Sequence, residues 1–324
     1  MKRFILSATT ATAVLFGAAA AYANEAVTYL FPAPDFLPAF SPFHLAKGKG
    51  YFDEAGLDVT FRIGKGGADV ATQVAVGNAD LGGGIGDTPI IVRANGLEIK
   101  GVALLGGRGL TQLAWRADRG MSGPEDFKGK TFGVLAYQDT TYYNLLGVLS
   151  SVGLSKDDVD IQAVGAGGVI QLSISGDLDG MSGVPEWIAA VEGAGVEMQQ
   201  VPVDTYFPAM AQAIFASDET IEERPEVVSG FVNAVIHAIE DIKADPAQAA
   251  ADYVSFVPQH AGKEDEIEAI MRAYAEKVYA EAADRPLGTF SAEQMAEVQD
   301  FYVDAGIVRG RTPVEDLYTN EFIE

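Results

Sequence analysis

The 324-residue chain carries 46 acidic against 22 basic side chains, a formal charge of −24, and no cysteine. A surface of that sign repels nucleic acid and anionic lipid, and the missing thiols exclude a disulfide framework, a thiolate metal site and a cysteine nucleophile. The length exceeds one typical hydrophobic core, so two domains are expected.

Residues 1–23 read as a secretory signal: Lys2-Arg3, an apolar run from Phe4 to Ala21, and Ala21-Tyr22-Ala23 as a small-x-small cleavage site. The apolar run is too short and alanine-rich for a membrane anchor, and no other uncharged stretch approaches spanning length, so no direct membrane insertion is expected. No cysteine follows the cleavage site to carry a lipid. The expected location is the periplasm, as a soluble monomer.

Val27 to Phe31 alternates as a first strand and runs into a segment broken by Pro32, Pro34, Pro38 and Pro42, where regular structure is forbidden. That loop carries Asp35, Phe36, Phe40 and Phe43, candidates for a ligand wall, although any one of the rings would serve equally in packing the loop on its own lobe. From His44 to Val59 the chain reads as a helix ended by glycine, then a strand.

Gly64 to Pro89 then reads turn, helix, strand, turn and helix start. A glycine-rich turn (Gly64-Lys65-Gly66-Gly67) precedes an amphipathic run with Val70, Val74 and Val76. A stop at Gly77-Asn78 precedes a short strand around Ala79 to Leu81. A second glycine turn, Gly82 to Gly86, enters a new helix at Asp87-Thr88-Pro89. Free backbone N–H groups cluster at such helix starts and can hold a small polar solute. Val164 to Trp187 repeats this grammar with an offset of 99: Gly77 answers to Gly176, Asp80 to Asp179, and Asp87 to Glu186. Two similar α/β lobes follow from that repeat, each presenting a loop and an acid at equivalent places.

The order of motifs carries a resemblance. "AKGKGYFDEAGLDVTF", a glycine turn, "GNADLGGG", the stretch Pro124-Glu-Asp-Phe-Lys-Gly-Lys-Thr131, and Pro225 to Ala238 together resemble the solute-binding receptors of ABC importers for nitrate, sulfonates, taurine and thiamine-pyrimidine precursors. The resemblance spans nearly the whole mature chain. It implies a type II periplasmic-binding-protein fold, an α/β architecture of two lobes joined by a two-crossover hinge, with solute held in the cleft. The expected division is residues 24–113 for the first part of lobe 1, 114–212 for lobe 2, and 213–324 for the return to lobe 1. Strand Ile99 to Leu105, the break at Gly106-Gly107 and the apolar run to Trp115 suit a first crossing, and Ala209 to Ala216 suits the return.

Ligands of such sheets lie beyond the carboxyl ends of strands. That rule adds Tyr137, Asp139, Thr140, Thr141, Tyr142, Gly167, Gly168, Glu186 and Trp187 to the candidate site, the second glycine turn and its helix start add Gly86, Asp87 and Thr88, and Arg108 is the one cation expected nearby. Beyond Ser217 the chain turns helical, with Val227, Val228, Phe231, Val235, Ile236 and Ile239 at three- and four-residue steps. Asp245-Pro246, Ser291 with Gln294, and Thr312-Pro313 with Glu315 read as further helix starts.

Competing motifs fail on spacing. Gly123 to Thr131 has five residues between its glycines where a P-loop needs four, and it precedes a strand instead of following one. His44, His237 and His260 lack paired ligand spacing, so neither metal nor cofactor is expected. Asp87 and Glu186 could be the paired carboxylates of a glycosidase, but an acid where a helix begins is more often an N-terminal stabiliser. The expected protein is a non-enzymatic receptor that delivers its solute to an ABC permease with a cytoplasmic ATPase. The acids and aromatic rings favour a thiamine-pyrimidine-like nitrogen heterocycle. Sulfonate, taurine or nitrate is the alternative within the same class. An enzyme of thiamine-pyrimidine synthesis is the alternative outside it, disfavoured because that group carries a cysteine-rich motif and is not exported.

Overall fold

The computed structural model describes residues 23–137, 139–280, 282 and 285–323, so the signal-like segment lies outside the described residues apart from Ala23. The strands in chain order are β1 (Glu25–Phe31), β2 (Leu57–Ile63), β3 (Leu81–Ile85), β4 (Ile99–Leu104), β5 (Gln112–Arg116), β6 (Thr131–Val134), β7 (Asp160–Ala163), β8 (Gly180–Gly183), β9 (Met198–Pro202) and β10 (Gln212–Ser217). They build two mixed sheets, ordered β2-β1-β3-β10-β4 and β7-β6-β8-β5-β9. In each, one inserted strand runs against its neighbours: β10 between β3 and β4, and β5 between β8 and β9. The chain crosses between the sheets twice, from β4 to β5 and from β9 back to β10. Arg108 on the first crossing forks onto Asp204 on the second through Nε (2.6 Å) and Nη2 (2.9 Å).

Alternation along β1 puts Tyr29 and Phe31 on one covered face. Tyr29 stacks on Phe43 (4.7 Å between centroids) and on Phe231 (5.1 Å). Phe231 belongs to the helix Pro225–Ala244, whose Val227, Val228, Phe231, Val235 and Ile239 form the buried stripe that the spacing predicts. Two of the predicted helix starts carry their caps: Asp245 accepts from the Gln248 N–H (3.1 Å) and Ser291 from the Gln294 N–H (3.3 Å). Thr312 heads no such helix. Only a short turn, Val314–Asp316, follows it, without a side-chain cap.

The run Gly82-Gly83-Gly84 is a central strand and not the turn expected from composition. A methyl group on Gly82 would come within 2.4 Å of Val70, on Gly83 within 2.3 Å of the Tyr29 hydroxyl, and on Gly84 within 2.7 Å of Phe215. Bare backbone is required because covering side chains already occupy that space.

The repeat has a shared physical basis. Asp80, just before β3, accepts from the Thr28 N–H on β1 (2.6 Å) and pairs with Arg224. Asp179, just before β8, accepts from the Thr131 N–H on β6 (2.9 Å) and faces Arg119 at 3.4 Å. Each aspartate therefore ties down a backbone N–H of the neighbouring parallel strand, at the middle of β1 and at the start of β6. Asp80→Ala and Asp179→Ala are expected to lower stability by ~1–3 kcal/mol each, the cost of leaving a strand backbone donor unmet, as read from denaturant midpoints. Closely matched losses would support equivalent jobs in the two lobes.

Candidate functional site

A cavity of about 920 Å³ opens between the two sheets. It lies where the parallel strands end and the reversed strands β5 and β10 begin, as strand polarity requires of such folds. The first lobe lines it with the proline loop (Pro32, Pro34, Leu37, Phe40), the turn Gly64–Gly67, Ile85 and Thr88. The second lobe contributes Leu135, Tyr137, Asp139, Thr140, Thr141, Tyr143, Val184, Glu186 and Trp187.

The two helix starts are built alike. Thr88 Oγ1 accepts from the Ile85 N–H (3.3 Å), and Thr141 Oγ1 accepts from the Leu135 N–H (3.0 Å), closing each strand-to-helix turn. Asp139 caps the helix Thr140–Ser151, accepting at Oδ1 from the Thr141 N–H (2.9 Å) and hydroxyl (2.8 Å). Burial raises its pKa.

Glu186 lies in the first turn of the helix Pro185–Gly193 and caps nothing. Its Oε2 accepts from the Tyr274 hydroxyl at 2.5 Å, and burial pushes its pKa up to about 7. Asp87 occupies the equivalent place in the first lobe and also caps nothing. Its Oδ2 accepts from the Tyr302 hydroxyl (2.6 Å) and its Oδ1 from the Thr140 hydroxyl (3.3 Å), and burial raises its pKa to about 6. Neither acid is a helix-end stabiliser of the ordinary exposed kind. A buried carboxyl held by one or two hydroxyls is still costly to ionise and so shifts toward neutrality.

Phe40, Thr88, Tyr137, Asp139, Thr140, Thr141, Glu186 and Trp187 of the expected residues line the cavity. The others do not. Asp87 is buried and is not among the lining residues, though it accepts a hydrogen bond from Thr140, which is. Phe43 falls on the sheet-facing side of its helix and is core. Phe36 is partly exposed, and its carbonyl accepts from the Tyr253 hydroxyl (2.6 Å) and contacts His260 Nε2 (2.6 Å). Asp35 offers its carbonyl to His44 Nε2 (3.0 Å). Gly86 is pressed against Leu104 and Met210 beneath the hinge. Tyr142 is not in the lining and packs its ring against Tyr137 and Tyr143, which are. Gly167 and Gly168 are inside the helix Gly165–Ser175 and not in a loop. Arg108 is not among the lining residues, and its guanidinium is paired with Asp204.

Sequence reasoning missed Lys65, the one cationic side chain among the described residues lining the cavity. The signal was available, since Lys65 interrupts a glycine turn leading into one of the helix starts read as able to hold a polar solute. It also missed Tyr143, Leu97, Leu110, Gln212 and Ile307, which reach the cavity only through tertiary folding.

Among known proteins, the chain is similar to riboflavin-binding protein RibY of Chloroflexus aurantiacus, 23% identical over 97% of this chain and 92% of that protein. It is similar to 4-amino-5-hydroxymethyl-2-methylpyrimidine phosphate synthase of Aspergillus parasiticus, 26% identical over 68% of each. In three dimensions it resembles the periplasmic aliphatic sulphonate binding protein SsuA of Escherichia coli, with a TM-score of 0.72, 14% identity, and coverage of 93% of this chain and 94% of that one. The fold is thus the two-lobed one of periplasmic solute-binding proteins, as the sequence resemblance implies. The model of the family described as NMT1/THI5 like matches residues 37–249, so the chain belongs to that family and carries the solute-binding fold of ABC importers.

Proposed function

We propose that this protein is the periplasmic receptor of an ABC importer, and that its cleft clasps a flat nitrogen heterocycle bearing N–H donors and hands it on unaltered. The observation that carries this reading is the composition of a single cavity. Phe40, Tyr137 and Trp187 line the same cavity as Asp139 and the buried Glu186. Aromatic walls suit a π-face, and an acid shielded from water rewards a donor more than an anion. A volume of about 920 Å³ also suits a ring system better than a nitrate or taurine-sized solute. The relative named as riboflavin-binding supports a heterocycle of that breadth, and the relatives named as pyrimidine synthases support a smaller one.

Sulfonate is the second reading, favoured by Lys65 beside the Gly64–Gly67 turn. An unaltered solute fits a chain with no cysteine better than the synthase chemistry to which the resemblance assigns a cysteine-rich motif. A thermal-shift screen over riboflavin, aminopyrimidines, taurine and alkanesulfonates separates the readings. A true ligand at a hundred times its Kd adds about 2.7 kcal/mol of stability. The expected result is stabilisation by one of the heterocycles, recovered unchanged by mass spectrometry. Stabilisation by sulfonates alone, or recovery of a product, would overturn the proposal.

A further inference from the structure

The two acids at equivalent places of the repeat do something that ligand contact does not explain: each is bonded across the cleft. Asp87 follows β3 of the first sheet, and its Oδ1 takes the hydroxyl of Thr140, the first residue of a second-lobe helix. Its other donor, Tyr302, is packed against the second lobe too, with its ring 5.4 Å from Tyr143 and its neighbour Phe301 4.8 Å from Phe207. Glu186 follows β8 of the second sheet and takes the hydroxyl of Tyr274. That tyrosine stands on the helix Glu264–Lys277, which packs on the first-lobe helices Pro225–Ala244 and Pro246–Phe256. Each lobe thus sends one buried carboxyl to a hydroxyl carried by the other side.

We propose that Thr140, Tyr302 and Tyr274 are closure-determining residues, whose hydroxyls hold Asp87 and Glu186 across the cleft so that closing the lobes leaves neither acid unmet. The inference rests on the two-lobe receptor reading and adds its latch. The physical reason is one of exchange. With the lobes apart, water solvates both acids; with the lobes together, water is gone and these hydroxyls replace it. Removing a hydroxyl therefore penalises the closed state and spares the open one, which shifts a two-state equilibrium even with no solute present. Asp87 is the cleaner case because it does not line the cavity.

The test uses the mature chain without ligand. Its lack of cysteine allows spin labels at V76C in the first lobe and D157C in the second, both well-exposed positions. Electron–electron distance distributions then report the open and closed populations. Tyr302→Phe and Thr140→Val are each expected to raise the open-to-closed ratio about tenfold. In an Asp87→Asn background, which removes the buried charge, the same changes are expected to move it less than about threefold. Circular dichroism identifies any variant that fails to fold, and Thr140→Val, an isosteric change, carries the test if Tyr302→Phe does. Distributions unchanged by either substitution, or changed equally with and without Asp87, would overturn the latch. Whether a solute closes the wild-type chain is a separate readout that tests the receptor reading alone.

Discussion

Glu186→Gln is expected to weaken binding of an N–H-bearing heterocycle by roughly tenfold to a hundredfold at pH 8, because it exchanges a charge-assisted hydrogen bond in a dry site for a neutral one. Titration calorimetry measures this directly. The variant keeps the shape of the side chain and an oxygen for the Tyr274 hydroxyl, so the wall it belongs to is preserved. Its pH profile is as informative as its magnitude. Burial holds the Glu186 carboxyl up at about 7. A ligand that donates to the ionised form must therefore displace a proton below that pH, and wild-type affinity falls by about tenfold between pH 8 and pH 6. The glutamine variant has no such slope. The ligand-free protein shows the opposite dependence. Glu186 and Asp87 keep their protons when buried at pH values where solvated carboxyls have lost them. Their contribution to stability is thus present below about pH 4 and is lost as the pH rises through about 6 and 7.

Gly106→Ala is expected to cost about 2–5 kcal/mol of stability, the largest effect of any methyl group added at the hinge. Gly106 begins the first crossing with φ +153°, a conformation that side chains rarely adopt, and its added carbon would lie 2.3 Å from the Val278 carbonyl oxygen. That oxygen belongs to backbone, so no side-chain rotation relieves the clash. The neighbouring Gly107 and Arg108 N–H groups bond to the Ala280 and Val278 carbonyls (2.9 and 3.3 Å). Any shift of the crossing would break these bonds as well. Gly193→Ala is the control, since nothing lies within 4 Å of its added carbon, and its effect is expected within about 0.5 kcal/mol of zero. Equal denaturant midpoints for the two variants would contradict a tightly held crossing.

The repeat was readable because its two halves do the same local work. Asp80 and Asp179 reach only as far as the next strand, and local grammar in the sequence records such contacts. The donors of Asp87 and Glu186 leave no such trace. Tyr302 and Tyr274 come from helices 215 and 88 residues further along the chain, and no periodicity links a late tyrosine to an early acid. Phe40 and Phe43 show the same limit at short range. Both belong to one proline-rich segment, and only the helix phase decides that Phe40 faces the cleft while Phe43 faces Tyr29. The glycine run of β3 misled for a physical reason, since glycine signals a turn when the chain needs freedom and a strand when neighbours need its space. Arg108 looked available because Asp204, 96 residues away, is invisible to local reading.

The most direct test of the clasped-heterocycle account is calorimetry of the wild-type chain at pH 6 and pH 8 with riboflavin, an aminopyrimidine and an alkanesulfonate. The account predicts that a heterocycle binds at one site per chain, more tightly at pH 8, and outcompetes the sulfonate. Tight sulfonate binding that strengthens toward pH 6, with no heterocycle bound at either pH, would contradict it.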